Sequence, residues 1–216
     1  MNLLVFSHRF SSRQKLTAGF LMRLFVALDI DQSIRERIMH FLQGLQTFAP
    51  DARWTKQESM HVTLKFIGEQ PDVALGSIKQ SMSGITGKAT EISFHSYGFF
   101  PTAQSARVFW VGIETGHELS ALAAAIDERL SALGIPKESR AFSPHLTLAR
   151  GAGASGSPRR NRHDRSNRTF HLLQEKLTAL PTPEFGTMTA REFFLYQSQL
   201  SPRGSKYTKL ARFALG

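Results

Sequence analysis

The chain has 216 residues, a formal charge of +10, 41% hydrophobic and 10% aromatic residues, and no cysteine. That length builds one substantial core or two small lobes, not two large domains. The missing cysteine excludes a disulfide framework, cysteine-ligated zinc or iron–sulfur sites and a thiol nucleophile; no apolar run approaches a membrane span, and 17 phenylalanines argue against global disorder.

The first 21 residues carry Arg9, Arg13 and Lys15 and no acid. They lack the continuous apolar stretch of a secretory signal. Arg and Ser without acids also suit a transit peptide. The plainer reading of 1–21 is a disordered tail or a start codon set too early, because Met22 stands directly before a strand-like opening. Residues 23–29 alternate and predict a strand. Residues 33–48 predict a helix with Ile34, Ile38, Phe41, Leu45 and Phe48 on one face, and Ser33 with Glu36 resembles a capping box. A strand at 60–67 and a helix at 72–85 follow. Strands at 91–97 and 107–113 are joined through Gly98 and Pro101. The helix at 117–133 buries Leu119, Leu122, Ile126, Leu130 and Leu133 and stops at Gly134 and Pro136. A strand at 144–149 leads into a Gly/Arg-rich loop over 151–169, with five arginines against Asp164. This loop reads first as a flexible, solvated linker and second as an RNA-phosphate contact. A short helix at 171–179 and strands at 188–198 and 206–213 complete the chain. Strands and helices are interspersed without regular alternation, which predicts an α+β fold with antiparallel sheets. No glycine-rich phosphate loop or dinucleotide fingerprint is present. Most of the excess positive charge lies in 1–21 and 151–169, so composition alone supports no nucleic-acid partner.

Two tetrapeptides carry the chemistry: His61-Val62-Thr63-Leu64 and His145-Leu146-Thr147-Leu148. On a strand, alternate side chains share a face, so each copy pairs a His/Thr face with an apolar face. Chance placement in this composition gives about 0.02 such tetrapeptides, so the duplication is the signal. Two imidazoles suit phosphodiester cleavage, because one can activate a nucleophile while the other protonates the departing oxygen. Threonine hydroxyls can hold the non-bridging phosphate oxygens. Neither copy has the helical His-Glu-x-x-His spacing, and no acid adjoins either, so no metal and no cofactor are expected. Lys65 has the parity of His61 and Thr63 and could share their face. Trp54 and Trp110 read as lobe core. His40, His95 and His117 read as surface or helix-end residues.

Beyond these residues, the chain from Met22 to its end resembles the RNA 2′,3′-cyclic phosphodiesterases, also called 2′-5′ RNA ligases (LigT/ThpR), of the two-histidine phosphoesterase superfamily. The resemblance lies in Arg23-Leu-Phe-Val-Ala-Leu-Asp29, Arg53-Trp54, Met60 through Glu69, Val108-Phe-Trp-Val-Gly112, Phe142 through Arg150 and Leu200 through Tyr207. It implies one bilobal domain over 22–216, with two pseudo-symmetric antiparallel sheets, outer helices and a central groove that carries both motifs. It implies His61 as proton donor to the leaving ribose oxygen and His145 as proton acceptor from water. Thr63, Thr147 and Arg150 would bind the phosphate, and Phe25 would stand near the groove, where core packing competes with base stacking. Tyr207 is a further candidate to line the groove. The implied partner is an RNA end bearing a 2′,3′-cyclic phosphate, handled by a cytoplasmic monomer with no metal and no membrane. The 21-residue extension, the long Gly/Arg loop and Ser139-Arg140 depart from the family pattern. Two other readings stand beside hydrolysis to a 2′-phosphomonoester. One is 2′-5′ RNA ligation by the same residues, or action on a small cyclic phosphate. The other is a non-catalytic RNA-binding module built on the Arg-rich loop.

Overall fold

The structure, a computed structural model, describes residues 20–151, 169–201 and 204–216. The readings made for the N-terminal segment up to residue 19 and for the loop over 152–168 lie outside the described residues. Nine strands are described: β1 (Leu21–Leu28), β2 (Arg53–Trp54), β3 (Val62–Pro71), β4 (Thr90–Phe100), β5 (Val108–Thr115), β6 (His145–Arg150), β7 (Glu184–Ala190), β8 (Glu192–Ser201) and β9 (Gly204–Ala214). Four α-helices accompany them: α1 (Gln32–Leu42), α2 (Leu75–Ser83), α3 (His117–Ser131) and α4 (His171–Thr178). No helix among the described residues is long and apolar enough to cross a membrane.

All recorded strand pairs are antiparallel, and the order is β7-β4-β5-β6-β3-β1-β8-β9, with β2 added beside β6. The two expected sheets are thus one hydrogen-bonded path. They join where β3 meets β6, at the single recorded pair Val62↔Leu146. Outward from that junction the halves match: β3-β1-β8-β9 on one side and β6-β5-β4-β7 on the other. The chain order matches too, since β1-α1-β3-α2-β4 is echoed by β5-α3-β6-α4-β8, with β7 inserted before β8. Strand β4 leaves the first series to pair with β5, and β8 leaves the second to pair with β1. Each half is therefore completed by a strand of the other, which ties the two halves together.

The helix faces follow the apolar period. Helix α1 buries Ile34, Ile38 and Leu42, and α3 buries Leu119, Leu122, Ile126 and Leu130. These meet Val26, Leu28, Val62, Phe109, Val111, Leu146 and Leu148 from one face of the sheet. Helix α1 ends earlier than expected, and Gln46–Phe48 is a separate 3₁₀ turn. The expected capping box is absent: Asp31 precedes the helix, Ser33 is already inside it, and no side chain caps it. Helix α3 stops as expected, with Gly134 at φ +81°. The single strand expected at 188–198 is two, because the chain turns at Arg191 between β7 and β8, which lie in opposite halves. Strand β1 begins at Leu21, paired with Pro71, and the carbonyl of Phe20 accepts the Asp72 N–H, so regular pairing reaches into the segment read as an extension.

The parity expected for Lys65 is reversed. Along the β1–β3 ladder Ala27 pairs with Thr63 but Val26 pairs with Lys65, so β3 carries one extra residue at Leu64. This bulge puts Leu64 and Lys65 both on the core side. Lys65 is 2% exposed; its ammonium meets Asp127 of α3 at 2.5 Å and the Pro136 carbonyl at 2.7 Å. The pair spans from β3 in one half to the helix of the other. Removing one partner of a buried pair strands the other charge. Lys65→Ala should therefore lower unfolding stability by roughly 3 kcal/mol in urea titration; a loss below about 1 kcal/mol would show that the pair is dispensable.

Candidate active site

Both motif strands run beside the junction. Val62 and Leu146 are fully buried and oppose each other. Extended one step either way, that register sets His61 opposite Thr147 and Thr63 opposite His145. Alternation throws all four of these side chains to the face away from the helices, and all four are half-buried. The structure thus brings together the two His/Thr pairs that the sequence presents 84 positions apart.

Each imidazole is oriented in the same way. His61 donates from Nδ1 to the Ser59 carbonyl at 2.7 Å, and His145 donates from Nδ1 to the Ser143 carbonyl at 2.8 Å. A carbonyl only accepts, so Nδ1 carries the proton, and Nε2 is left as the nitrogen available to a substrate. The orienting residue stands two before each histidine. The repeat is therefore Ser-x-His-x-Thr-Leu, longer by two positions than the tetrapeptide, although the bond uses the backbone and not the serine hydroxyl.

Burial is the main cause that lowers the pKa of both histidines. His61 falls to about 4, with Arg150 and Arg35 adding to the effect and the Ser59 carbonyl and Asp29 opposing it. His145 is lowered by burial and Arg150, against the Ser143 carbonyl. Both imidazoles are neutral at pH 7 in the unliganded site.

Arg150 reaches this face through a second bulge. Trp110 pairs with Thr147 but Phe109 pairs with Ala149, so β6 carries one extra residue at Leu148. Strict alternation would send position 150 into the core. The bulge buries Leu148 and Ala149 and turns Arg150 outward. Its charge acts on both histidines. Desolvation lowers the Arg150 pKa first; Arg53 and Arg23 add to this and Tyr207 opposes it. Arg53 is also its direct partner on the β2–β6 ladder. Three guanidiniums therefore converge at one end of the face, and Arg23 and Arg53 were not singled out from the sequence as site residues.

The two histidines rest on different aromatic groups. Phe25 meets His61 at 4.9 Å, stacks on Tyr196 at 5.1 Å and takes Tyr207 edge-on at 5.1 Å. It is 4% exposed, so it supports His61 and offers no free face to a base. Tyr207 stands edge-on to His61 at 5.2 Å, as expected of a groove residue. His145 packs against Phe100 at 4.9 Å and Trp110 at 6.4 Å. The reading of Trp110 as core is overturned: Phe109 and Val111 are fully buried, so alternation carries Trp110 to the opposite face. It lies across Gly98, which is inside β4 rather than in a turn; a Cβ there would sit 2.1 Å from Trp110 Cζ2. Trp54 does pack on the core, with Nε1 donating to the Ala49 carbonyl at 3.1 Å.

A cavity of about 640 Å³ opens beside His61, lined in part by Asp29, Arg35, Tyr196, Tyr207 and Lys209. Asp29 accepts from Arg35 and, at 2.5 Å, from Lys209. A cavity of about 730 Å³ between α1 and the segment before β7 holds none of the motif residues. Among the described residues no group of three or more His, Asp or Glu is placed to hold a metal ion.

Comparison with known proteins follows the same division. The family described as LigT like Phosphoesterase matches residues 28–110 and again residues 111–207, one motif strand in each match. The RNA 2′,3′-cyclic phosphodiesterase of Archaeoglobus fulgidus is 34% identical over 192 residues, covering 89% of this chain and 99% of that protein. The protein of the same name from Methanothermobacter thermautotrophicus is 30% identical over 199 residues, covering 90% and 99%. The crystal structure of E. coli LigT complexed with 3′-AMP superposes with a TM-score of 0.70 at 26% identity, covering 91% of this chain and 99% of that one.

A histidine held neutral by burial costs stability in acid. Between pH 6.5 and about 4 the unfolded chain binds the proton that folded His61 refuses. Stability should therefore fall as pH drops through that window, and His61→Gln should remove about 1 to 3 kcal/mol of the fall. Urea titrations of both proteins at pH 7 and pH 4.5 check this; parallel losses would refute the buried neutral imidazole.

Proposed function

The chain belongs to the LigT like Phosphoesterase family, and we propose that it opens a terminal RNA 2′,3′-cyclic phosphate to a 2′-phosphomonoester by acid/base catalysis between His61 and His145. The observation that carries this reading is the duplicated half-site: two imidazoles fixed through Nδ1, each beside a threonine, flanking one strand junction.

In the proposed step a water oxygen forms a new bond to phosphorus with its lone pair, and His145 Nε2 takes the water proton. The bond from phosphorus to O3′ breaks, its electron pair stays on that oxygen, and the proton on His61 Nε2 passes to it. The product carries a 2′-phosphate and a free 3′ hydroxyl, and solvent resets both imidazoles. The Thr63 and Thr147 hydroxyls donate to the non-bridging oxygens, and Arg150 pairs with the phosphate charge. Burial makes protonated His61 a strong acid but a rare one. A phosphate anion beside the ring raises its pKa and restores the protonated fraction when substrate is present. The reading includes action in the cytoplasm, as a monomer and without a metal; the family resemblance supports those three points.

Replacing either histidine by alanine should cost on the order of 100- to 10,000-fold in rate on a short RNA ending in a 2′,3′-cyclic phosphate. Product mass should rise by one water, phosphorus NMR should report a 2′-monoester, and EDTA should change nothing. Retained activity in both variants would sink the mechanism, loss with EDTA would point to a metal, and joined strands would point to ligation. The assignment of roles has its own test. A p-nitrophenyl phosphodiester releases a phenolate that needs no proton, so His61→Ala should recover on it more than His145→Ala does; the opposite order would exchange the two roles.

A further inference from the structure

Among the described residues Ser96 is the one non-glycine with a positive φ, at 57°. Such a backbone is costly for an L side chain and persists only where its surroundings impose it. Strand β4 imposes it by bulging. Its register shifts between His95 and Tyr97 against β5 and between Phe94 and His95 against β7, and the Ser96 N–H donates to the Pro183 carbonyl at 2.9 Å. The bulge throws the Ser96 side chain over Gly112 of β5, where a Cβ would sit 2.4 Å from Ser96 Oγ. Gly112 pairs with His145 and has the parity of Trp110, so the hydroxyl lies on the functional face beside the strand of that histidine. Ser96 is half-buried, and its hydroxyl makes no hydrogen bond among the described residues.

The other half carries a different group at this place. The pairs Ala27↔Thr63 and Leu28↔Val62, extended one step, set Asp29 opposite His61, which makes Asp29 the counterpart of Gly112. The Asp29 carboxylate favours a protonated His61. Beside His145 the neutral hydroxyl of Ser96 takes that place, and the one acid of β5, Glu114, turns to His95 Nε2 at 3.2 Å.

We propose that Ser96 is a positioning residue that holds the attacking water beside His145 and so favours water over an alcohol as the nucleophile. The proposal rests on the hydrolytic reading above. One O–H of the water donates to Ser96 Oγ and the other to His145 Nε2, which leaves an oxygen lone pair to face phosphorus. As that oxygen bonds to phosphorus, His145 takes the proton it holds; the proton on the side of Ser96 stays on the new phosphate oxygen. A carboxylate in this place would favour a protonated His145 and remove the base, whereas a hydroxyl leaves it neutral. Methanol or a ribose hydroxyl has a single O–H, which His145 occupies, so Ser96 gives neither of them the second contact that it gives water.

The experiment follows the full chain and its Ser96→Ala and Ser96→Gly variants on an RNA ending in a 2′,3′-cyclic phosphate, in water and in a water–methanol mixture. Both variants should lower kcat for hydrolysis about tenfold and leave KM unchanged. In the mixture, mass spectrometry separates the 2′-monophosphate formed by water from the methyl 2′-phosphodiester formed by methanol, and the methyl ester share should rise severalfold in both variants. Glycine takes a φ of 57° without strain, so Ser96→Gly should keep or raise the urea midpoint while it loses rate. An unchanged kcat would overturn the proposal. A slower reaction with an unchanged product ratio, or a loss of rate that tracks a lower urea midpoint in both variants, would make Ser96 a matter of folding and overturn it as well. In each of these cases the unaltered protein still hydrolyses the RNA and the hydrolytic reading stands. No hydrolysis by the unaltered protein would overturn that reading and this proposal with it.

Discussion

Everything at the site depends on the contact between Val62 and Leu146. Among the described residues it is the one backbone pair recorded between the two motif strands. Both side chains are apolar and fully buried, so the core holds this crossing in place. A residue of either sign on that face would have to leave water without a partner. The central positions of His61-Val62-Thr63 and His145-Leu146-Thr147 thus act as the anchor, and the functional residues on either side inherit their separation and direction from it. A one-residue slip would send both histidines into the core. Register here is therefore a matter of chemistry as well as of stability.

The bulges are the second constraint. Without them, alternation would carry Lys65 and Ala149 onto the functional face and bury Phe66 and Arg150. With them, Lys65 becomes a buried tie to Asp127, Ala149 fills the core, and the outward places go to a phenyl ring and a guanidinium. The pseudo-symmetric frame thus keeps its His/Thr pairs alike and varies what lies three residues further on. The same holds for the aromatic support: Phe25, Tyr196 and Tyr207 around His61, Phe100 and Trp110 around His145. A symmetric substrate site needs such differences to treat the two oxygens of a cyclic phosphate unequally.

Much of this was legible in the residues. The duplicated His-x-Thr strand, the α+β class and the third helix follow from spacing and periodicity, because those patterns depend on a few neighbours in sequence. The bulges were not, because an extra residue in one strand is visible only against its partner: Leu64-Lys65 and Leu148-Ala149 read as ordinary alternation until Val26 and Phe109 are laid beside them. Trp110 was misread for the same reason, since its size suggests core while its parity on β5 places it beside His145. The break at Arg191 was missed because β7 and β8 are both strand-like and adjacent; only their pairing, with β4 and with β1, shows that they serve different halves. Arg150 was reached by resemblance, whereas the convergence of Arg23 and Arg53 on it required the fold.

Electrostatics then completes the logic of an unliganded site. Two half-buried imidazoles are held neutral, chiefly by desolvation, and the charge that depresses both is that of Arg150. A site with a fixed guanidinium, whose one carboxylate acting on His61 is Asp29, already paired with Arg35 and Lys209, is biased toward an anion. When a phosphodiester monoanion enters, it lowers the cost of Arg150 and of a protonated histidine at the same time. In the proposed mechanism binding and protonation are therefore one coupled event: the anion brings with it the acid that its own cleavage requires. Burial, which lowers the histidine pKa in the empty site, strengthens that coupling once the anion is present, because the same exclusion of water that penalises an isolated charge intensifies the attraction between a pair.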